Sequence, residues 1–342
     1  MRRGPRRGRL AALAVVAAPL LLVGCRETQS SLSPKSHQAR DIATLFWWMM
    51  GGAWLGLALV VGLLFWSWKR RDRRGFGNDT EGSKPGEQRS WYVVVGLGIA
   101  MPIAVISTLF VISDLFVIKT TQAPAATATK MTVQVIGHQW WWELRYPGTS
   151  AVTANELHIP ARTPVRVEVK TADVVHSFWV PELNRKVDAI PGRTNVIELY
   201  ADAPGVYRGQ CAEFCGLQHA NMSLYVFAQP EAAFRQWLTR EERAAAAPSG
   251  GLAAQGARVF ENGACSSCHA IRGTSANSDV GPDLTHVASR TTLAAVTIPN
   301  GDATLREWIT DSQHVKPGNQ MPDIRLPGSQ LDALVAYLEG LK

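Results

Sequence analysis

Between residues 211 and 222 the chain reads CAEFCGLQHANM, which spaces four soft or borderline ligands as Cys211-x3-Cys215-x3-His219-x2-Met222. Two thiolates four residues apart on one loop can converge on a single centre, with the imidazole and the thioether following on the same turn. Cysteine and methionine select copper, whereas a structural zinc site takes four Cys or His ligands and rarely a thioether. A mononuclear blue-copper site uses two histidines, one cysteine and a weak methionine, so this set holds one thiolate too many. Two cysteine sulfurs can instead bridge a pair of copper ions, each of which then needs one further nitrogen. His219 supplies one nitrogen, and His138, His158 and His176 are the candidates for the other. His176 follows a β-rich run and precedes SFWVP, a strand-to-loop position from which a remote ligand can reach the loop, while His158 reads as an ordinary polar group.

A second pattern, Cys265-x-x-Cys268-His269, is that of covalent haem c attachment, with two thioether links to the vinyl groups and the histidine on iron. Such a haem needs a distal ligand, commonly a methionine that raises the potential. Met321, in GNQMPD, is the one methionine after Met222; His286 and His314 are rivals that would lower the potential. The GPDL stretch at 281–284 is expected to pack near His269. Four of the five cysteines therefore fall in two separate redox motifs and the fifth, Cys25, stands apart, so no structural disulfide is expected.

The elements that must position these residues change character along the chain. Residues 1–24 combine a basic start, a short apolar stretch and small residues, which is a secretory signal. Its ending, LLVGC, resembles a bacterial lipoprotein signal, in which Cys25 would carry the lipid. Residues 42–68 carry no charge and exceed the roughly 20 residues that span a bilayer, and 91–118 form a second apolar run broken by Asp114. After the polar TTQAPAATATK come short β-rich runs separated by Pro, Gly and Asn, the pattern of an all-β sandwich or barrel. A helical stretch is expected from Glu231 to Ala247, ending in the linker-like AAAAPSGG, and from Leu252 the pattern is helical again. The expected architecture is a multidomain membrane protein: an N-terminal tail and two-helix transmembrane hairpin (25–120), an all-β domain (121–240), a linker (241–251) and a small all-α domain (252–342).

Charge supports that outline. The net charge is +7, yet residues 1–120 alone hold 16 Lys+Arg against 7 Asp+Glu, clustered as MRRGPRRGR and KRRDRR beside the apolar runs. Basic clusters in that place signal membrane topology and give no reason to expect nucleic-acid binding. The positive-inside rule puts the short loop between the two helices in the cytoplasm, leaving both termini and both later domains on the extracytoplasmic side of a bacterial cell membrane.

The stretches GHQWWWELRY, DVVHSFWVP, DAIPGRTN and GVYRGQCAEFCGLQHANM resemble subunit II of the haem–copper cytochrome c oxidases, over about residues 40–230. Residues 252–342 resemble the small class I cytochromes c, so the whole is similar to the fused-cytochrome (caa3-type) subunit. The resemblance implies a cupredoxin-like β domain in which His176, Cys211, Glu213 (through its backbone carbonyl), Cys215, His219 and Met222 hold the binuclear copper centre called CuA. It also implies that the Glu213 side chain reaches toward a magnesium ion at the border with subunit I, and that Trp140 receives electrons. Relatives place a proton-channel glutamate at the cytoplasmic start of the second helix; Glu87 lies there, although Gln88 holds the usual spacing. Electrons would pass from cytochrome c or another donor through haem c to CuA and on to subunit I, where O2 is reduced to water with proton pumping; other oxidase subunits would complete the complex. The alternatives are the corresponding subunit of a CuA-type nitric oxide reductase and a membrane-anchored copper carrier or assembly protein, for which a covalent haem has no use.

Overall fold

The computed structural model describes residues 29–71, 91–121, 129, 131–248 and 250–342; the signal segment, Cys25 and Glu87 lie outside the described residues. Helix α1, His37–Arg71, is 35 residues long and extends the expected span at both ends. At 1.5 Å per residue it exceeds the roughly 30 Å hydrocarbon core. Its apolar side chains point outward all round, as a lipid-facing helix requires: Trp48, Leu55, Leu64 and Trp68 are each more than half exposed. The second span, α2, covers Trp91–Leu115. A π-turn at Gly96–Ala100, where the Met101 N–H bonds the Gly96 carbonyl, precedes Pro102, whose missing N–H interrupts the helical ladder. The chain is a membrane protein with two such helices among the described residues.

The start of α1 is fixed to the domain that follows. Ser36 caps the helix by accepting from the Ala39 N–H at 3.0 Å and donates to the Leu183 carbonyl. Lys35 N–H bonds the Glu182 carbonyl at 2.8 Å, the Lys35 carbonyl accepts from Asp202 N–H at 2.9 Å, and Gln38 donates to Glu198. The start of the first membrane helix is thus bonded directly to the β domain.

That domain is a sandwich of two five-stranded sheets, ordered β3-β2-β1-β5-β8 and β4-β10-β9-β6-β7. Its strands are β1 Met131–His138, β2 Trp141–Arg145, β3 Val152–Ala154, β4 Glu156–Pro160, β5 Val165–Thr171, β6 His176–Trp179, β7 Val187–Ala189, β8 Asn195–Leu199, β9 Gly205–Cys211 and β10 Ser223–Gln229. Alternation drives the layering. In β5, Val165, Val167 and Val169 are fully buried while Arg166, Glu168 and Lys170 face outward, and β1 buries Val133 and Val135 on the same inner face. β1 runs parallel to β5, and β10 runs parallel to β4 and antiparallel to β9, the mixed pairing of a cupredoxin-like sandwich. At one end, β6 begins with His176 and β9 ends with Cys211, and the β6–β9 pairing brings them side by side.

Helix α3, Glu231–Glu241, packs Phe234 and Trp237 on the sandwich. It stops six residues short of the sequence expectation although alanines follow. The reason is tertiary: Arg272 donates to the carbonyls of Glu241 and Arg243, and the Ala245 N–H bonds the Arg272 carbonyl at 2.8 Å. These bonds take the backbone groups that another helical turn would use, so the linker lies along the last domain. That domain is built from α4 Gly251–Asn262, α5 Asp302–Thr310, α6 Ser312–Val315 and α7 Gly328–Glu339, with a two-stranded ribbon, Thr292–Leu293 and Ile298–Pro299. α7 buries Leu334, Val335 and Leu338 against Ala257 and Phe260 of α4, giving a small core distinct from the sandwich.

Candidate metal and haem sites

The sandwich end gathers every sulfur and imidazole of the first motif except His138 and His158. Cys211 Sγ lies 3.8 Å from Cys215 Sγ and 3.9 Å from His176 Nδ1. Cys215 Sγ lies 3.7 Å from His219 Nδ1 and 3.9 Å from Met222 Sδ, and the Glu213 carbonyl oxygen lies 3.2 Å from Cys211 Sγ. His176, Cys211, Cys215 and Met222 are buried. A disulfide would need the sulfurs near 2.05 Å, so the pair is a dithiol set.

The electrostatics of this set call for a cation. The hydrogen bond from Cys215 holds Cys211 as a thiolate well below the ordinary thiol range, against the opposing effect of burial. That thiolate, together with burial, pushes Cys215 far above the ordinary range. One sulfur ionises readily and the second does so only beside positive charge, which a metal bound between them supplies. Soft sulfur, two imidazoles and a carbonyl in a largely buried cluster fit copper.

Asp173 is a functional residue that the sequence reading missed. Its Oδ1 accepts from His176 Nε2 at 2.8 Å, leaving the Nδ1 lone pair to face the cluster. The carboxylate itself accepts from Gln139 N–H at 2.7 Å and Val174 N–H at 2.6 Å. Its position three residues before His176, in ADVVHS, was the available signal. Gly137 completes this support: a Cβ there would sit 2.8 Å from the His176 ring, so a side chain would displace the ligand. The other candidate histidines are placed elsewhere. His138 stacks on Trp141 and bonds Glu143 at 3.0 Å. His158 lies between the rings of Phe227 and Trp237 with Nδ1 3.2 Å from Gln229 Oε1. Burial pushes His158 down to about 4, so the ring is neutral.

In the helical domain Cys265, Cys268, His269 and Met321 line one cavity of about 240 Å³, walled also by Phe260 and Leu305. His269 Nδ1 lies 2.8 Å from the Pro282 carbonyl, which can only accept, so Nδ1 carries the proton and Nε2 keeps its lone pair. Burial lowers the His269 pKa, which also favours the neutral, ligating form. Gly281 lets the GPDL stretch lie on that ring, since a Cβ would sit 2.7 Å from His269 Cε1. Met321 is held through its backbone: Asn319 accepts from its N–H at 2.7 Å, and Ser312 and Gln313 donate to its carbonyl. His286 and His314 do not line the cavity; His286 is turned to the Arg243 carbonyl at 3.0 Å and His314 is exposed. A hydrophobic hollow with a dithiol, an imidazole and a thioether on its walls fits a haem.

Trp140 joins the two regions. It is only 9% exposed, lines the haem-sized cavity, and donates from Nε1 to the Cys215 carbonyl at 2.9 Å. Glu213, by contrast, turns its carboxylate to the surface, 3.7 Å from Lys186 Nζ, beside the exposed Phe214 and Leu217.

Fold and sites together define a membrane-anchored electron carrier with a cupredoxin-like domain and a cytochrome c domain. Comparison with known proteins agrees. Residues 151–228 match the profile described as cytochrome c oxidase subunit II, periplasmic domain, and residues 253–342 match cytochrome c. Cytochrome c oxidase subunit 2 of Alkalihalophilus pseudofirmus is 32% identical over 337 residues, 94% of each chain. The subunit 2 of Bacillus sp. (strain PS3) is 30% identical over 74% of this chain and 73% of its own. The crystal structure of the periplasmic domain of subunit II of cytochrome oxidase from Bradyrhizobium japonicum is 30% identical, covers 34% of this chain and 95% of that one, and superposes with a TM-score of 0.33. The chain belongs to the cytochrome c oxidase subunit 2 family, in the form that carries a fused cytochrome c domain. It is the subunit through which electrons enter a haem–copper oxidase, an oxidoreductase complex.

Proposed function

We propose that His176, Cys211, Cys215, His219, Met222 and the Glu213 carbonyl would hold the binuclear CuA centre, and that Cys265 and Cys268 would attach haem c covalently, with His269 and Met321 as the residues that would ligate its iron. Loaded, the copper pair and the haem each exchange one electron at a time. The chain's own residues supply the rest. Cys211 and Cys215 would hold the metals through their sulfurs, Asp173 and Gly137 fix the His176 ring, and the burial of His176, Cys211, Cys215 and Met222 limits the rearrangement that would accompany a change of charge. Pro282 fixes the proton of His269 and the bonds to Met321 fix the opposite wall. The observation that carries this reading is Trp140, one indole that touches both the haem cavity and the Cys215 carbonyl.

The domains are assigned as the hairpin up to residue 120, the copper domain 121–240, the linker 241–251 and the haem domain 252–342. The basic cluster at the end of α1 supports placing both redox domains outside the cytoplasm. The exposed Glu213 carboxylate is the group that would reach a magnesium ion where catalytic subunit I docks, with Lys186 swinging aside. Purification of the complex in mild detergent, followed by offering O2 and NO separately to the donor-reduced protein, tests the assignment. Rapid O2 uptake with a co-purifying haem–copper subunit is expected; turnover of NO alone would overturn it in favour of a nitric oxide reductase.

A further inference from the structure

Lys316, five residues after the α5 C-cap Asp311 and five before Met321, is 3% exposed. Its ammonium group meets three backbone carbonyls: Trp140 at 3.0 Å, Asn221 at 2.9 Å and Ala294 at 3.2 Å. An ammonium has three N–H donors and no acceptor, so this set uses all of them and leaves none unpaired. A buried charge without such partners would be strongly disfavoured. The three carbonyls come from three different places. Trp140 lies in the turn between β1 and β2, Asn221 precedes Met222 in the copper loop, and Ala294 opens a run of three left-handed residues, Ala294, Ala295 and Val296, with φ between 53° and 69°. Trp140 and Ala294 line the haem cavity together with Lys316.

We propose that Lys316 is a positioning residue for transfer between the two centres, a latch that holds the haem domain on Trp140 in one fixed docked geometry. The proposal rests on the assignment of the two centres above. Its neighbours share the task. Gln218 donates to the Pro317 carbonyl beside Lys316, and an added Cβ on Gly318 would lie 2.8 Å from Leu217 of the copper loop, so the two surfaces are in contact here. On another edge Glu156 Oε1, in a residue 3% exposed, accepts from Thr291 and Thr292 through both backbone N–H groups at 2.7 and 3.0 Å. Arg272 reaches across to the Ser150 carbonyl. Lys316 differs from these in position: it alone binds the backbone of the joining indole, the copper loop and the haem wall at one atom. The linker need not then act as a loose tether. Docking is written into side chains that cross the interface, and the Trp140 surface is already occupied, so an external donor must deliver its electron to the haem domain.

Lys316→Met keeps the length and apolar stem of the side chain and removes all three donors. In the intact oxidase complex two readouts are taken: hydrogen exchange of peptides covering 138–142 and 291–297, and the rate at which an electron injected into haem c reaches copper. Exchange in both peptides should rise, and the transfer rate should fall by about tenfold or more, the effect of about 1.4 kcal/mol lost from the docked state. The absorption of both centres and both potentials should stay as in the wild type, which loss of folding would not allow. If Met at this position costs the haem absorption, Lys316→Arg takes its place, because a planar fork cannot meet three converging carbonyls and should give the same two changes. Wild-type exchange and wild-type transfer in a variant that retains haem would overturn the latch. Absence of haem-to-copper transfer in the wild type would instead overturn the assignment of the centres, while the exchange readout still judges the latch.

Discussion

Five of the six residues proposed for the copper site lie on the single loop from Cys211 to Met222, and the sixth, His176, begins the strand paired with β9; the residues proposed for the haem run from Cys265 to Met321 and line one cavity. The proposed copper ligands sit at the rim of a sandwich whose core is filled mainly by Val133, Trp142, Leu157, Val167 and Leu224 among others, with Cys211, Cys215 and Met222 joining one edge of it. The haem ligands sit in the walls of a hollow lined by Phe260, Leu305, Ile309 and Leu334, which are also that domain's core. One domain is a frame that presents a site. The other is a shell whose core residues also wall the cavity, so a haem held there would become part of the hydrophobic interior and contribute to its packing.

The comparison is broken most easily by removing haem attachment. Cys265→Ala combined with Cys268→Ala should abolish haem retention and the cooperative melting of the helical domain, leaving the copper absorption of the sandwich unchanged. Haem staining after denaturing electrophoresis and circular dichroism would show it; a helical domain that melts normally without haem would contradict the shell description.

A smaller effect concerns protonation of the frame. His158 is neutral in the fold with a pKa of about 4, lowered chiefly by burial, whereas the unfolded residue titrates near 6.5. The unfolded chain therefore binds more protons between these values. The corresponding stability is fully present above pH 6.5 and is lost as pH falls to 4, by at most about 3 kcal/mol. Urea unfolding of the sandwich at stepped pH should show this slope in the wild type and lose it in His158→Phe, which preserves the stack between Phe227 and Trp237. An equal slope in both would remove His158 from the account.

The smallest effect expected is at the support of the copper ligand. Asp173→Asn keeps the shape but weakens the hold on the His176 proton, and copper affinity should fall by about 10- to 100-fold with the haem spectrum untouched. Competition with a chelator of known affinity measures it, and an unchanged affinity would mean that β6 alone fixes the ring.

Both proposed ligand sets are suggested by the sequence because each is largely local: CAEFCGLQHANM and CSSCH bring their chemistry with them. His176 was reached through resemblance, and the fold supplies the reason, since only the β6–β9 pairing brings it to Cys211. The sandwich was readable from alternation, as in β5, and the membrane helices from length and apolarity. Asp173 stands three residues before His176, a local signal that the sequence reading passed over. Gly137 and Lys316 were not readable, because each acts through a contact between segments distant in sequence and a lone Gly or Lys carries no periodic signal. The same holds for the end of α3. Helix propensity favours continuing through the alanines, and Arg272, thirty residues on, overrides it. Trp140 was expected as a place of electron arrival; its burial against the chain's own haem domain was a matter of docking, which no local pattern encodes.

The proposed order of electron flow, haem before copper, is open to direct measurement. In the purified complex, an electron is injected photochemically into haem c while haem and copper absorption are followed together, in the wild type and in Cys215→Ser. The account predicts that wild-type haem loses its electron as copper gains it. In the variant, which lacks a bridging thiolate, haem should stay reduced and O2 uptake should stop. Reoxidation of the variant's haem at the wild-type rate would contradict it, because the electron would then be leaving by a route that bypasses the copper site.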